Sequence, residues 1–184
     1  MKNATPNRAV FLDRDGTIME DTNYVGSLDR VILIPCAPEA IKRLHEAGYK
    51  LFVVTNQSGV ARGYFPREAV DQIHAHLDEQ FGRVGVQIDR YYVCPHYPDD
   101  NCDCRKPKPK FILDAAREYG LDLSHSFTIG DRTSDLQAGR NAGTKTILVL
   151  TGGGQETLAK HEVAPDYIAQ DIAVAADWIL QQSH

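Results

Sequence analysis

Five apolar segments without polar alternation restrict this chain more than any other feature. RAVFLD (8–13), KLFVVT (50–55), IDRYYVC (88–94), SFTIG (126–130) and KTILVL (145–150) read as strands. Between and after them the apolar residues change to a helical spacing, and helices are expected at 38–48, 66–82, 109–120, 135–143 and 171–182. In the second of these, Val70, Ile73, His74, Leu77 and Phe81 fall on one face. Pro38 stands in the first turn of the 38–48 helix and Gly48 at its end, as helix boundaries favour. A strand with one wet face alternates, whereas an uninterrupted apolar strand needs cover on both sides. The pattern therefore predicts an α/β fold, a parallel sheet with helices on both faces. TGGGQE (151–156) reads as a loop after the fifth strand. No repeat, low-complexity run or linker divides the 184 residues, so one domain over 1–184 is expected.

In sheets of this kind ligands bind beyond the carboxyl ends of the strands, and the polar residues gather there. The first strand ends at Asp13-Arg14-Asp15-Gly16-Thr17 and the second at Thr55-Asn56-Gln57-Ser58-Gly59. The third leads through a Cys/His-rich loop to Arg105-Lys106-Pro107-Lys108. The fourth ends at Gly130-Asp131-Arg132, with Asp135 close behind. Hard carboxylate oxygens suit Mg²⁺, which is usually held by one or two carboxylates plus phosphate. The cations suit phosphate oxygens. Each signal alone has a plainer reading. Asp-x-Asp-Gly often marks a turn, an aspartate at a helix start is an ordinary cap, and a basic run is often a solvated patch. Coincidence is a poor account of all four, each at the end of a strand.

The net charge of −5 argues against nucleic acid or a membrane surface as partner, while leaving room for a local basic site. No stretch of about 18 apolar residues is present to span a membrane, and MKNATPNRAVFLD lacks a leader pattern. A cytoplasmic protein is expected, and a monomer is the default. Disulfides are rare in that compartment, so the cysteines need another role. Cys94, His96, Cys102 and Cys104 form the pattern C-x-H-x5-C-x-C, three thiolates and an imidazole, within the loop 94–104. That is a tetrahedral zinc set, and four protein ligands make the expected Zn²⁺ structural. Arg105 and Lys106 follow the last ligand directly, so the metal would fix the loop that aims them. Cys36 stands apart and reads as a buried apolar residue. His45, His74 and His76 read as ordinary helix-face residues.

With these four motifs in order, the chain resembles the haloacid dehalogenase-like (HAD) phosphatases. The matching residues are DRDGT (13–17), Thr55, the lysine in RKPK (105–108) and GDRTSD (130–135). The resemblance covers nearly the whole chain. It implies a Rossmann-like, doubly wound sheet and Mg²⁺-dependent hydrolysis of a phosphate ester through an aspartyl-phosphate. Asp13 would be the nucleophile and Asp15 the general acid and base. Mg²⁺ would be held by Asp13, Asp15 (through its main-chain carbonyl) and Asp131. Thr55 and Lys106 would stabilise the transferring phosphoryl group. Asp135 would orient a metal-bound water or a cation. A loop, a helix and a strand use up the interval from Asp13 to Thr55, so no cap domain fits there. An open site suits a terminal phosphate on a bulky molecule.

Two capless families share the Cys/His loop. The closer resemblance is to the D-glycero-D-manno-heptose 1,7-bisphosphate 7-phosphatases, which serve the nucleotide-heptose routes to cell-surface glycans. It rests on TNQSGVARGYF (55–65), Asp21 and Tyr24 of EDTNYV, CPHYP and CDCRKPKP. It implies a phosphorylated sugar as partner, contacted by Asp21, Tyr24, Asn56, Gln57, Ser58, Arg105 and Arg132. The short zinc loop and Arg132 in place of a common lysine depart from that family. Both resemble the histidinol-phosphate phosphatases, which usually lack the ARG after TNQSGV and remain the alternative. A phospho-receiver domain is a poorer match, because receivers phosphorylate at the third strand and lack the second aspartate. A phosphohexomutase would need a cap, and a 3′-end nucleic-acid phosphatase would need a basic stripe.

Overall fold

The computed structural model describes residues 7–182. Residues 1–6 and 183–184, which include the start of the stretch read for a leader and both ends of the expected 1–184 domain, lie outside the described residues. The strands are β1 (Ala9–Leu12), β2 (Lys50–Asn56), β3 (Arg90–Cys94), β4 (Phe127–Gly130), β5 (Lys145–Val149) and β6 (Tyr167–Ala169). The helices are α1 (Ala37–Glu46), α2 (Arg67–Gly82), α3 (Lys110–Tyr119), α4 (Thr133–Ala142), α5 (Gly154–Lys160) and α6 (Ile172–Gln181). The strands form one parallel sheet in the order β3-β2-β1-β4-β5-β6. In register, Leu12 of β1 lies beside Val53 on one side and Ile129 on the other.

Side chains alternate across the sheet, so each strand feeds two cores. Val10, Leu12, Leu51, Val53, Ile129 and Ile147 pack against Ile41 and Leu44 of α1, Ile73 and Leu77 of α2, and Ile172 and Ile179 of α6. On the other face Ala9, Phe11, Phe52, Val54 and Tyr92 meet Ile112 and Ala115 of α3 and Ala138 of α4. Phe11 and Phe52 stack there with centroids 5.3 Å apart. Both faces are therefore covered, which is why the strands carry no polar alternation.

The chain runs outward from β1 to β2 and β3, then returns to place β4 on the other side of β1. The loops after β1 and β4 leave in opposite directions, and that reversal opens a crevice at the carboxyl ends. Between Asp13 and Thr55 stand only a 3-10 turn (Leu28–Arg30), α1 and β2. Among the described residues no helix is long and apolar enough to cross a membrane.

Two elements depart from expectation. α5 begins inside the tract read as a loop, and β6 had no counterpart in the sequence reading. β6 has three residues at the sheet's edge, with Ile168 exposed, so it carries no run long enough to register. Cys36 is half-buried at the start of α1 and packs against the larger core.

His74 is buried in α2 and stacks on Tyr91 at 4.2 Å. Burial, reinforced by the charges of Arg14 and Arg67, pushes its imidazole down to about 3. The unfolded chain takes up this proton near pH 6.5, while the folded chain refuses it. The stability this group contributes is complete above that pH and drains as pH falls toward 3. Between pH 7 and 5 the unfolding free energy should fall about 2 kcal/mol further for the wild type than for His74→Phe. Urea titrations at the two pH values measure this, and parallel losses in both proteins would remove His74 as the cause.

Candidate active site

Asp13 is the first residue past β1, and its N–H donates to Ile129 O at 2.9 Å, so the ladder to β4 fixes it. The chain then turns at once, with Ile18 N–H donating to Arg14 O at 3.0 Å and Gly16 N–H to Met19 O at 2.7 Å. Gly16 has φ +87°, and a Cβ there would stand 2.3 Å from Asp131 Oδ2. The turn separates the two first-strand aspartates. The Asp15 carboxylate accepts from Arg14 Nε at 3.1 Å and a second guanidinium nitrogen at 3.0 Å. Gln57 Nε2 donates to Asp15 Oδ2 and to Thr55 Oγ1, each at 2.8 Å.

Lys106 is buried. Its ammonium lies 2.6 Å from Asp13 Oδ1 and 2.7 Å from Asp135 Oδ1, and it donates to Val54 O at 2.6 Å. The Asn56 amide grips the main chain of the same residue. Lys106 N–H donates to Asn56 Oδ1 at 3.1 Å, and Asn56 Nδ2 donates to Lys106 O at 3.3 Å. Asp135 sits in the first turn of α4, where its Oδ2 accepts from Arg132 N–H at 2.9 Å. Asp131 Oδ2 accepts from Gly153 N–H at 2.6 Å, and its main-chain oxygen accepts from Thr157 Oγ1 at 2.7 Å.

Electrostatics follow from this crowding. Burial opposes the Lys106 charge, but Asp13 and Asp135 outweigh it and hold the ammonium above its usual range. Burial pushes the Asp13 carboxyl well up against the pull of Lys106, and Asp135 and Asp131 push it further. Burial and then Asp135 raise Asp131 to about 6, against Gly153 N–H and Arg132. Oxygens of Asp13, Asp131 and Asp135 all lie within 4.8 Å of one another. One buried ammonium does not balance three carboxylates, and Asp131 Oδ1 is buried with no hydrogen-bond partner. Hard oxygen donors, an orphaned lone pair and surplus negative charge fit a divalent cation such as Mg²⁺. The Asp15 carboxylate is outside this group and Asp135 is within it; the expectation for Asp15 concerned its carbonyl.

The loop after β5 is a part of the site that sequence reasoning missed. Besides Gly153 N–H on Asp131, Thr151 Oγ1 donates to Gly16 O at 2.6 Å. Gly152 has φ +55°, and a Cβ on it would meet Gly16 Cα at 2.5 Å. The three glycines are thus a close approach of two backbones, and glycines clustered at the carboxyl end of a strand are the available signal.

A cleft of about 450 Å³ opens over these groups. The residues expected for catalysis (Asp13, Asp15, Thr55, Lys106) line it. So do those expected for substrate (Asp21, Tyr24, Asn56, Gln57, Ser58, Arg105, Arg132), with Asn23 and Ser134, which lie inside EDTNYV and GDRTSD but carried no expected role. Asp131 lies fully buried beneath. At the rim Arg132 donates to Asp21 Oδ2 at 2.9 Å.

Cys94 ends β3, and His96, Cys102 and Cys104 come together with it. Cys94 Sγ is 3.6 Å from Cys102 Sγ and 3.7 Å from His96 Nδ1. Cys104 Sγ is 3.6 Å from Cys102 Sγ and 3.3 Å from His96 Nδ1. A tetrahedron with metal–sulfur bonds of about 2.3 Å has edges of about 3.8 Å, so the four donors are spaced to hold one metal ion. All four cysteines of the chain are free. Arg105, next in sequence, donates to His96 O at 3.4 Å.

The HAD-hydrolase-like family profile matches residues 103–175. A D-glycero-beta-D-manno-heptose-1,7-bisphosphate 7-phosphatase of Pseudomonas aeruginosa is 42% identical, over 94% of this chain and 97% of its own length. The protein of that name from Photorhabdus laumondii is 45% identical, over 90% of this chain and 91% of its own. Among solved structures, the D,D-heptose 1,7-bisphosphate phosphatase of Bordetella bronchiseptica, complexed with magnesium and phosphate, superposes with a TM-score of 0.91. It is 38% identical, over 95% of this chain and 99% of its own.

The contact between Gly16 and Asp131 makes an expectation about stability. Gly16 and Gly48 share nearly the same φ, +87° and +86°, but nothing lies within 4 Å of a Cβ at Gly48. Gly48→Ala should cost only the backbone strain, roughly 1–2 kcal/mol. Gly16→Ala adds the overlap with the Asp131 carboxylate and should cost at least about 1 kcal/mol more. Urea unfolding with EDTA present compares them, and equal costs would mean that the carboxylate moves aside freely.

Proposed function

Because this chain belongs to the D-glycero-D-manno-heptose-1,7-bisphosphate 7-phosphatase family of HAD-like hydrolases, we propose that it removes the 7-phosphate of that sugar bisphosphate. The relatives in Pseudomonas and Photorhabdus are named for the β-anomer, which supports the β-anomer as substrate. Their names favour the heptose over histidinol phosphate. The product would feed nucleotide-activated heptose for lipopolysaccharide and other surface glycans. The observation that carries the reading is the meeting of Asp13, Lys106 and the orphaned Asp131 oxygen in a cleft rimmed by Asp21 and Arg132.

In this reading the Asp13 carboxylate attacks phosphorus and the bond from phosphorus to the sugar oxygen breaks. Asp15 gives that oxygen its proton. Water then attacks the aspartyl-phosphate, Asp15 takes the proton back, and inorganic phosphate leaves with Asp13 restored. Dividing the displacement lets one carboxyl serve as acid and then base. The Arg14 fork and Gln57 hold that carboxyl off the nucleophile. Lys106 and Thr55 balance charge on the transferring group. Mg²⁺ at Asp13, the Asp15 carbonyl and Asp131, with Asp135 behind, would draw off phosphate charge. Asp21, Tyr24, Asn56, Gln57, Ser58, Arg105 and Arg132 would read the sugar and its phosphates, Asn56 largely through the backbone it grips. Cys94, His96, Cys102 and Cys104 would hold a structural Zn²⁺ that stiffens the approach to Arg105 and Lys106. We take the chain to act as one hydrolase domain, monomeric and cytoplasmic, consistent with the free cysteines and the net charge of −5.

A side-by-side comparison of kcat/KM for the two heptose bisphosphate anomers and histidinol phosphate tests the substrate, with Asp13→Asn run beside the wild type. The β-anomer should lead and the Asn variant should release no phosphate above background. A lead for histidinol phosphate overturns the substrate, and undiminished turnover in the variant overturns the covalent route.

Elemental analysis of protein purified without chelator should find about one zinc per chain, the count one such four-ligand site implies. Cys102→Ser should lose it and lower the melting temperature. Full activity with zinc absent would end this assignment.

A further inference from the structure

The segment Asp21–Tyr24 lines the cleft in a conformation that side chains disfavour. Asn23 and Tyr24 both have positive φ, +59° and +49°. Two successive left-handed residues turn the carbonyls of this segment to one side, away from regular pairing. They converge on one side chain outside the cleft. Arg30, in the 3-10 turn Leu28–Arg30, donates to Tyr24 O at 3.2 Å, to Asn23 O at 2.9 Å and to Thr22 O. The bond to Tyr24 O comes from Nη1 and those to Asn23 O and Thr22 O from Nη2, which also lies 3.4 Å from Thr22 Oγ1. The fork geometry of a guanidinium matches three acceptors in a way that a single ammonium does not.

The inner side of the loop is fastened separately. Asp21 Oδ1 accepts from Asn23 N–H at 3.1 Å and its Oδ2 from Arg132 at 2.9 Å. The Tyr24 ring lies edge-on to Tyr64 at 4.9 Å. Beyond it the Phe65 ring lies against Gly26 and Gly59, where a Cβ would stand 2.3 Å and 2.4 Å from it. Among the described residues, Arg30 is thus the fastening that satisfies the carbonyls of this segment themselves.

We propose that Arg30 is a positioning residue for sugar recognition: its guanidinium holds the Thr22–Tyr24 main chain in the left-handed form that presents Asp21, Asn23 and Tyr24 to the cleft. The inference rests on the reading above that this loop contacts the sugar. Arg30 touches no reacting group, so its loss should act on recognition and leave chemistry alone.

Arg30→Ala should raise KM for the heptose bisphosphate about tenfold, with kcat and the turnover of p-nitrophenyl phosphate each within about twofold of the wild type. The small aryl ester has no sugar for the loop to read. Arg30→Lys keeps the charge but cannot span three carbonyls, so its KM should lie closer to that of the Ala variant than to the wild type. A lysine variant close to the wild type would mean attraction of an anionic substrate by charge alone, and overturns the proposal. So does an unchanged KM in Arg30→Ala, or an equal loss on both substrates. Hydrogen exchange gives a readout that needs no substrate. The Asn23 amide, which donates to Asp21 Oδ1, should exchange several-fold faster in Arg30→Ala, and unchanged exchange overturns the clasp. Failure of the underlying reading shows elsewhere, as no hydrolysis of the heptose bisphosphate by the wild type or an unchanged KM in Asp21→Asn. The exchange rates then still decide whether Arg30 holds the loop.

Discussion

One buried ammonium among three carboxylates governs this structure. Lys106 sits within 2.7 Å of both Asp13 and Asp135, with Asp131 close by. Burying any one of these groups alone would cost several kcal/mol, and removing one partner from a buried pair typically costs about 3–5 kcal/mol. The cluster is therefore tolerable only when every member is in place. The members come from distant parts of the chain: Asp13 from just past β1, Lys106 from the loop after β3, Asp131 from just past β4 and Asp135 from the first turn of α4. The fold that brings them together is one in which β1 and β4 lie side by side at the point where chain direction reverses. Even then the charges do not cancel, and the orphaned Asp131 oxygen marks where a cation belongs.

That constraint explains the tight backbone contacts around the cluster. Asp131 must be wholly buried yet reach the cleft from below, so little room remains for the loops above it. Gly16 and Gly152 meet there, and no other residue type fits either position without moving the carboxylate. Gly153 N–H satisfies one Asp131 oxygen from the main chain and leaves the other for a metal. The glycine tract after β5 is thus part of the site's wall, and α5 starts within it because the chain has to leave the crevice immediately.

The sequence made much of this legible, for definite reasons. Uninterrupted apolar strands had to be buried on both faces, so the parallel sheet and its carboxyl edge followed from the pattern. Asp13, Thr55, Lys106 and Asp131 were then visible as chemistry-bearing residues at strand ends. What stayed hidden works through the main chain or through strain. Gly153 donates by an N–H that every non-proline residue owns. The Asn56 amide is spent on the backbone of Lys106, a partner 50 residues away in sequence. The left-handed pair Asn23-Tyr24 has no glycine to announce it, and Arg30 serves carbonyls that carry no signature. β6 is too short for periodicity to show.

The hidden contacts share a logic set by the open cleft. Among the described residues no cap domain stands between Asp13 and Thr55, and loops wall the cleft. A loop that must discriminate has to hold its shape before the ligand arrives, because ordering it on binding would cost about 1–2 kcal/mol per residue. Each rim loop here is fastened from behind. The Asp21–Tyr24 segment has Arg30 and Arg132. The loop after β2 is tied to the Cys/His segment by Gln57 N–H on Cys94 O at 2.7 Å and Ala61 N–H on Pro95 O at 3.2 Å. The Arg105-Lys106 segment has the four metal-spaced ligands on one side and Asn56 on the other. Stiffness obtained this way needs no extra domain, and it accounts for why a chain of this size devotes three arginine or amide clasps and a Cys/His cluster to the loops that line the cleft.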